Sequence, residues 1–146
     1  MVGTERKSGL ALFWTLLVFT VLFVVTTLPA LPALVATNFN GAGVPHAWMA
    51  RESYTIYLAA IGIGLPLLIV GLVGRGSGHR RGHWWLGALM TGFALGIHAL
   101  IVRAHRTEPP HLSTAGLLTV AGAFVVALVV WAMHWRTGPS SGQSSY

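Results

Sequence analysis

The chain has 146 residues, 54% of them hydrophobic and only 8% charged, with nine Lys and Arg, three Asp and Glu, and no cysteine. A soluble domain carries roughly a quarter of its residues as charges, so this balance excludes an ordinary soluble fold and points to a bilayer. The net charge of +6 would suit nucleic acid, but apolar stretches separate the cations and leave no continuous basic surface; the lack of cysteine excludes disulfides, thiolate metal sites and a Cys nucleophile.

No Lys, Arg, Asp or Glu occurs between Lys7 and Arg51, Glu52 and Arg75, Arg81 and Arg103, or Glu108 and Arg136. A membrane helix needs about 20 apolar residues, and each stretch can supply them. The fold class expected is therefore an all-α integral membrane protein: four transmembrane helices in an antiparallel bundle, residues 1–136 forming one domain. Span one covers about 10–27, starting after Arg6 and Lys7 and ending before Pro29 and Pro32. Its basic start and apolar body also fit a signal peptide with small residues Ala30, Ala33 and Ala36 beyond, but its length and the Leu three before each candidate cut favour an uncleaved helix. Span two covers about 54–73, with Tyr54 and Tyr57 at headgroup level and Pro66 inside the helix, where its missing N–H predicts a kink or a substitute partner. Span three, 84–102, opens on Trp84 and Trp85, and span four, 113–135, closes on Trp131 and Trp135, as in interfacial aromatic belts. The tail 137–146 is mostly Ser and Gly and is expected to be disordered and cytoplasmic.

With the N-terminus inside, Arg6, Lys7, Arg75, Arg80, Arg81 and Arg136 face the cytoplasm, six in all, against Arg51, Arg103 and Arg106, three, outside. Both termini of a multi-pass cell-membrane protein are therefore predicted cytoplasmic. Small residues near helical spacing predict the contact faces: Ala60, Gly64 and Gly71 on span two; Gly87, Thr91, Ala94 and His98 on span three; Ala115, Thr119, Ala123 and Ala127 on span four.

Chemistry has little to build on. The only acids are Glu5, Glu52 and Glu108, there is no Asp, and no nucleophile elbow, zinc-helix or phosphate-loop motif occurs. No enzyme, cofactor or metal is expected. His98 is the one ionisable residue well inside a span, in the outer half by its distance from Trp84. It reads either as a neutral residue bonding helices together or as a ligand or proton site, the first being favoured. His134 lies too far along its helix to share a haem with it. Outside, His46, His105, His111, Glu52 and Glu108 follow no known ligand spacing, and His79 and His83 flank Arg80 and Arg81 in a basic connection suited to anionic lipid.

The most specific segment joins spans one and two, residues 28–52. Gly41 and Gly43 permit positive φ, Pro45 stiffens the turn, and Phe39 and Trp48 can fold back on the bundle, so an ordered outer loop is expected. The order Phe39, Asn40, Gly43, Pro45, Trp48 and Arg51 resembles the loop motif of SdpI-like immunity proteins, approximately H-F/W-N-x-x-G-x-P-D-x-W with a basic residue at its end. Asn38 stands where that family usually has His, and His46 where it usually has Asp. The resemblance covers roughly residues 28–72, with spans three and four matching only in hydrophobicity. It implies a bacterial multi-pass protein related to immunity against membrane-active toxins.

Two function classes follow. In the first, a binding or immunity protein recognises a peptide toxin, a lipid or a partner subunit through Phe39, Asn40, Gly43, Pro45, Trp48 and Arg51. In the second, a small transporter or channel subunit uses the polar interior around His98. Spans poor in polar groups beyond Thr and Ser favour binding. The lipid bilayer is the one partner the composition itself requires, nucleic acid is not expected, and the oligomeric state is left open.

Overall fold

A computed structural model describes residues 2–75 and 83–136. Arg80, Arg81, His79 and the tail 137–146, on which part of the sequence reading rests, lie outside the described residues. The chain is mostly helical, and four of its helices are long and apolar enough to cross a membrane: 8–30, 51–72, 83–104 and 114–133.

Helix α1 (Val2–Thr27) runs without Pro or Gly through its apolar body and gives way to a short 3-10 turn at Leu28–Ala30, where Pro29 cannot continue the backbone ladder. The threonine hydroxyls near its end bond back to their own helix. Thr26 Oγ1 donates to the Leu22 carbonyl and Thr27 Oγ1 to the Phe23 carbonyl, at 2.8 and 2.6 Å.

The expected all-α membrane architecture is present, and the ordered loop expected between spans one and two takes a specific form. The loop between the first two spans is a two-stranded antiparallel hairpin, β1 (Leu34–Phe39) and β2 (Pro45–Ala50), pairing Val35 with Met49 and Ala36 with Trp48. Two register shifts interrupt the pairing: between Ala36 and Asn38 an extra residue, Thr37, stands on β1, and between Asn38 and Phe39 an extra residue, His46, stands on β2. Short strands flanked by glycines and prolines carry little periodic signal, and the neighbouring apolar run masks them.

Strand β2 passes directly into α2 (Arg51–Leu58), followed by a π-helical segment (Ala59–Gly64) and α3 (Leu65–Arg75). The expected disturbance at Pro66 thus takes the form of a widened turn just before it, with the Leu65 N–H donating to the Ala60 carbonyl five residues back. Widening the turn relieves the clash a proline ring makes with the preceding carbonyls, and it keeps backbone groups paired where no water is at hand. Helices α4 (His83–Ala104) and α5 (Thr114–Arg136) complete the chain.

Helix α4 is the hub, packing against α1, α3 and α5. The hairpin end of the core gathers Val24, Leu31, Val35, Tyr54, Leu58, Ile101 and Val102; the other end gathers Phe13, Leu17, Val70 and Ala88. Between them along the helices lie the buried Thr20, Thr91, Gly62 and Pro66, a waist of small side chains. Both hydroxyls there bond to their own helix, Thr20 to Leu16 and Thr91 to Gly87.

The contact faces differ in phase from those expected. On the second span the buried stripe is Tyr54, Leu58, Gly62, Pro66 and Val70, whereas Ala60, Gly64 and Gly71 are exposed. A stripe spaced by four drifts about 40° per step on an ideal helix, and the π segment takes up part of that drift. On α4, Gly87, Thr91 and His98 are buried as expected. Helix α5 turns Gly116, Val120 and Phe124 toward α4 while Ala115, Thr119 and Ala123 face away, and Phe93 meets Phe124 with ring centroids 4.5 Å apart. None of its apolar window is buried, against a third of that of α4, so α5 packs at the periphery of the helix bundle.

Candidate functional site

Two arrangements carry specific geometry: a polar network beneath the hairpin, and the hairpin itself. The network centres on His98, fully buried on α4 about 9 Å before the C-terminal end of that helix at 1.5 Å per residue. Its Nδ1 lies 2.8 Å from the Tyr54 hydroxyl of α2 and its Nε2 lies 2.9 Å from Thr27 Oγ1 of α1. The Thr27 proton is already given to the Phe23 carbonyl, so Thr27 Oγ1 accepts from Nε2–H and Nδ1 accepts from Tyr54 O–H. One direction runs through the chain: Tyr54 to His98 to Thr27 to a backbone carbonyl. A neutral imidazole meets both partners, and the edge of Phe23 and the face of Tyr54 enclose the ring.

Tyr54, expected at headgroup level, turns its side chain away from the surface of the bundle. It is 2% exposed, one turn into α2, and points into the bundle, while Tyr57 is exposed. Likewise Trp84 turns inward against Phe13, with centroids 5.7 Å apart, and Trp85 stays at the surface. Tyr54 and Thr27 are the functional partners that sequence reasoning missed. A signal for Tyr54 existed in its place at the head of the four-residue stripe; for Thr27 there was none beyond its position at the end of span one.

Above the network sits the cap, made of the hairpin and the connection from α4 to α5. Asn40 builds the turn: its Oδ1 accepts from the N–H groups of Ala42 and Val44, and its own carbonyl accepts from Gly43 N–H. Gly43 holds φ at +78°, and a Cβ there would lie 2.2 Å from the Leu112 carbonyl oxygen. Its carbonyl in turn accepts from Leu112 N–H, which ties the turn to the α4–α5 connection. Arg51 donates through its guanidinium to the carbonyl of Leu31 at 3.0 Å, closing the base of the hairpin beside the Arg51 N–H bond to Ala33.

His105 was not foreseen as a structural residue. Its Nε2 accepts from Ala36 N–H at 3.0 Å and its Nδ1 lies 2.9 Å from the Ile101 carbonyl, so the ring pins the outer edge of β1 to the end of α4. Nδ1 therefore carries the proton. Trp48 lies edge-on to the same ring at 6.4 Å and remains half exposed. Among the described residues no three His, Asp or Glu side chains gather closely enough to hold a metal ion.

The site residues named from sequence thus divide. Asn40, Gly43 and Arg51 hold the shape of the cap, and Pro45 starts β2 opposite Phe39. Phe39 lines a cleft of about 140 Å³ with Thr37, Asn38, Ile97, Leu112 and Leu117. Sites for drug-sized ligands run to about 300–1,000 Å³, so this cleft holds a small apolar group at most. Trp48 stands on the outward face with Leu34 and His46, all exposed.

Comparison with models of known families, with curated proteins and with solved structures finds no match in any of the three.

Proposed function

We propose that the chain is a non-catalytic binding protein of the cell membrane, with both termini cytoplasmic, whose outer cap captures a peptide or a partner protein. The observation that carries this reading is the division of labour within the cap. Asn40, Gly43, Arg51 and His105 fix its backbone through bonds to three separate parts of the chain, while Trp48 and Leu34 are left about half exposed on its outward face. A rigid support presenting a large amphipathic ring is the form recognition surfaces take, since little ordering remains to oppose binding. The likeness of residues 39–51 to the SdpI-like loop adds protection against a membrane-active peptide as the biological setting.

The transporter reading draws less support. The His98 chain ends at the Phe23 carbonyl and has no second proton acceptor to pass to, and the waist below it is filled by Thr20, Thr91, Gly62 and Pro66.

The test is a photo-reactive amino acid placed at position 48 in living cells, compared with one at Val35, which is fully buried beneath the cap. Capture of a discrete partner from position 48 alone, together with loss of toxin protection in Trp48→Ala at normal expression, is the expected outcome. Full protection in a chain whose residues 38–48 are replaced by a Gly–Ser linker would remove the cap from consideration.

A further inference from the structure

His105 is held by two neighbours that each allow one hydrogen-bond role. Ala36 N–H can only donate and the Ile101 carbonyl can only accept, so the ring between them, at 3.0 and 2.9 Å, must be neutral with its proton on Nδ1. A proton added at Nε2 sets two donors against each other across 3.0 Å and deletes the bond from this ring to β1. The His98 network differs, because the Tyr54 hydroxyl can turn its hydrogen away and accept from a protonated ring.

The surroundings of the ring do not compensate a charge on it. Strand β1 carries no titratable side chain, and on β2 His46 is exposed. On α4 and the turn after it, Arg103 and Arg106 add positive charge. The α4–α5 connection brings Glu108 and His111, the latter beside Gly43, and the start of α2 brings Glu52 and Arg51, whose guanidinium is bonded to the Leu31 carbonyl. Among the described residues no carboxylate hydrogen-bonds or pairs with the His105 ring. We infer that His105 is a proton-operated latch of the cap: neutral, it holds β1 on the end of α4; protonated, it lets that edge go.

The consequence falls on the cap. Ala36 is fully buried, so its N–H, once unpaired, finds a partner only if the strand lifts or water enters. Ala36 pairs across the hairpin with Trp48, whose indole stands edge-on to His105 at 6.4 Å, so the same event removes the imidazole from beside that half-exposed ring. Arg51, Asn40 and Gly43 keep their own bonds, none of which involves a group that titrates near neutrality, and the base and turn of the hairpin stay closed. Imidazoles as a class change charge between about pH 5 and 8, and the latched form needs the neutral ring, so the latch holds at the upper end of that window and is lost as pH falls. Its regulatory consequence rests on the reading of the cap as a capture surface: capture holds near neutrality and fails in acid.

Hydrogen exchange of the full chain in nanodiscs, with no partner added, tests the latch apart from capture. Corrected for the intrinsic pH dependence of exchange, protection of the Ala36 amide should fall roughly tenfold between about pH 7.5 and about pH 5, as fits the loss of one hydrogen bond. The fall should share its midpoint with the titration of the His105 ring followed by NMR. His105→Gln carries a non-titrating amide oxygen that reaches as far along the side chain as Nε2 and should keep Ala36 protected at both pH values, whereas His105→Phe, without an acceptor, should leave it open at both. His46→Gln and His111→Gln should retain the dependence. Protection at Ala36 that ignores pH, that changes at a different midpoint from the His105 ring, or that still varies in His105→Gln would overturn the inference. In cells, photo-capture from position 48 should decline in acid with the unsubstituted chain and not with His105→Gln. Capture that does not change with pH would overturn the latch's control of it, and no capture at any pH, with Ala36 behaving as expected, would overturn the capture reading alone.

Discussion

Tyr54, His98 and Thr27 make a chain of bonds with one direction, and that direction sets what substitutions should do. Tyr54→Phe leaves Nδ1 of a buried imidazole without its donor, and His98→Leu breaks both links; bonds of this kind in membranes measure about 0.6 kcal/mol on average, with a maximum near 1.7. His98→Leu should therefore destabilise by about 1–2 kcal/mol in a reversible unfolding assay in bicelles. Adding Tyr54→Phe to it should cost little more, because the shared bond is already gone. His98→Asn retains an acceptor for Tyr54 and should fall between. An activity abolished equally by Asn and Leu would instead assign His98 a chemical role. The glycines of the turn provide a second residue-scale test. A Cβ at Gly41 meets nothing within 4 Å, whereas at Gly43 it meets the Leu112 carbonyl and a left-handed backbone that alone costs about 1–2 kcal/mol. Gly41→Ala should leave amide exchange in the cap unchanged, and Gly43→Ala should raise it throughout residues 38–50. That His98 bonds helices together was legible from its isolation at depth; that its partners are Tyr54 and Thr27 was not, since hydroxyls near span ends are common and only packing selects among them.

At the scale of elements, the four apolar stretches were legible because length and lack of charge suffice to specify a membrane helix. The phase of each helix was less so. Small residues are frequent throughout these spans, and their spacing alone did not distinguish Gly62, buried against Ala94, from Gly64 and Gly71, which are exposed. The π segment before Pro66 rotates α3 relative to α2, an effect no constant period can register. One pair of substitutions tests the resulting packing. A Cβ at Gly87 would stand 2.6 Å from Val70 Cγ2 and 2.9 Å from Phe13 Cε2, where α1, α3 and α4 converge, while at Gly92 it meets nothing within 4 Å. Gly87→Ala should lower stability by about 1–3 kcal/mol through overpacking. Gly92→Ala should be neutral or slightly stabilising, since alanine has the higher helix propensity. Thermal unfolding of the two variants in the same detergent gives the comparison, and equal melting temperatures would contradict the placement of α1 and α3 on α4.

For the whole molecule, α4 carries the architecture: it receives α1 and α3 on one side, α5 on another, and the hairpin at its C-terminal end through His105. The sequence showed four spans but not this hierarchy, because α5 is as apolar as the rest and its exposure becomes visible only when the faces are assembled. The hairpin escaped the sequence reading for a related reason. Its ordering comes from contacts distant in sequence, Ala36 with His105 and Gly43 with Leu112, although the glycines and Pro45 announced an ordered loop. Everything proposed for the cap depends on its facing outward, and the 6 to 3 division of cations is the basis for that. The most direct test is labelling of single cysteines by a membrane-impermeant maleimide in intact cells. His46→Cys on the cap and Thr107→Cys in the α4–α5 connection should react at once, and Ser77→Cys, between α3 and α4, only after permeabilisation. Labelling of Ser77→Cys in intact cells with both outer positions silent would contradict the account, since the cap would then face the cytoplasm.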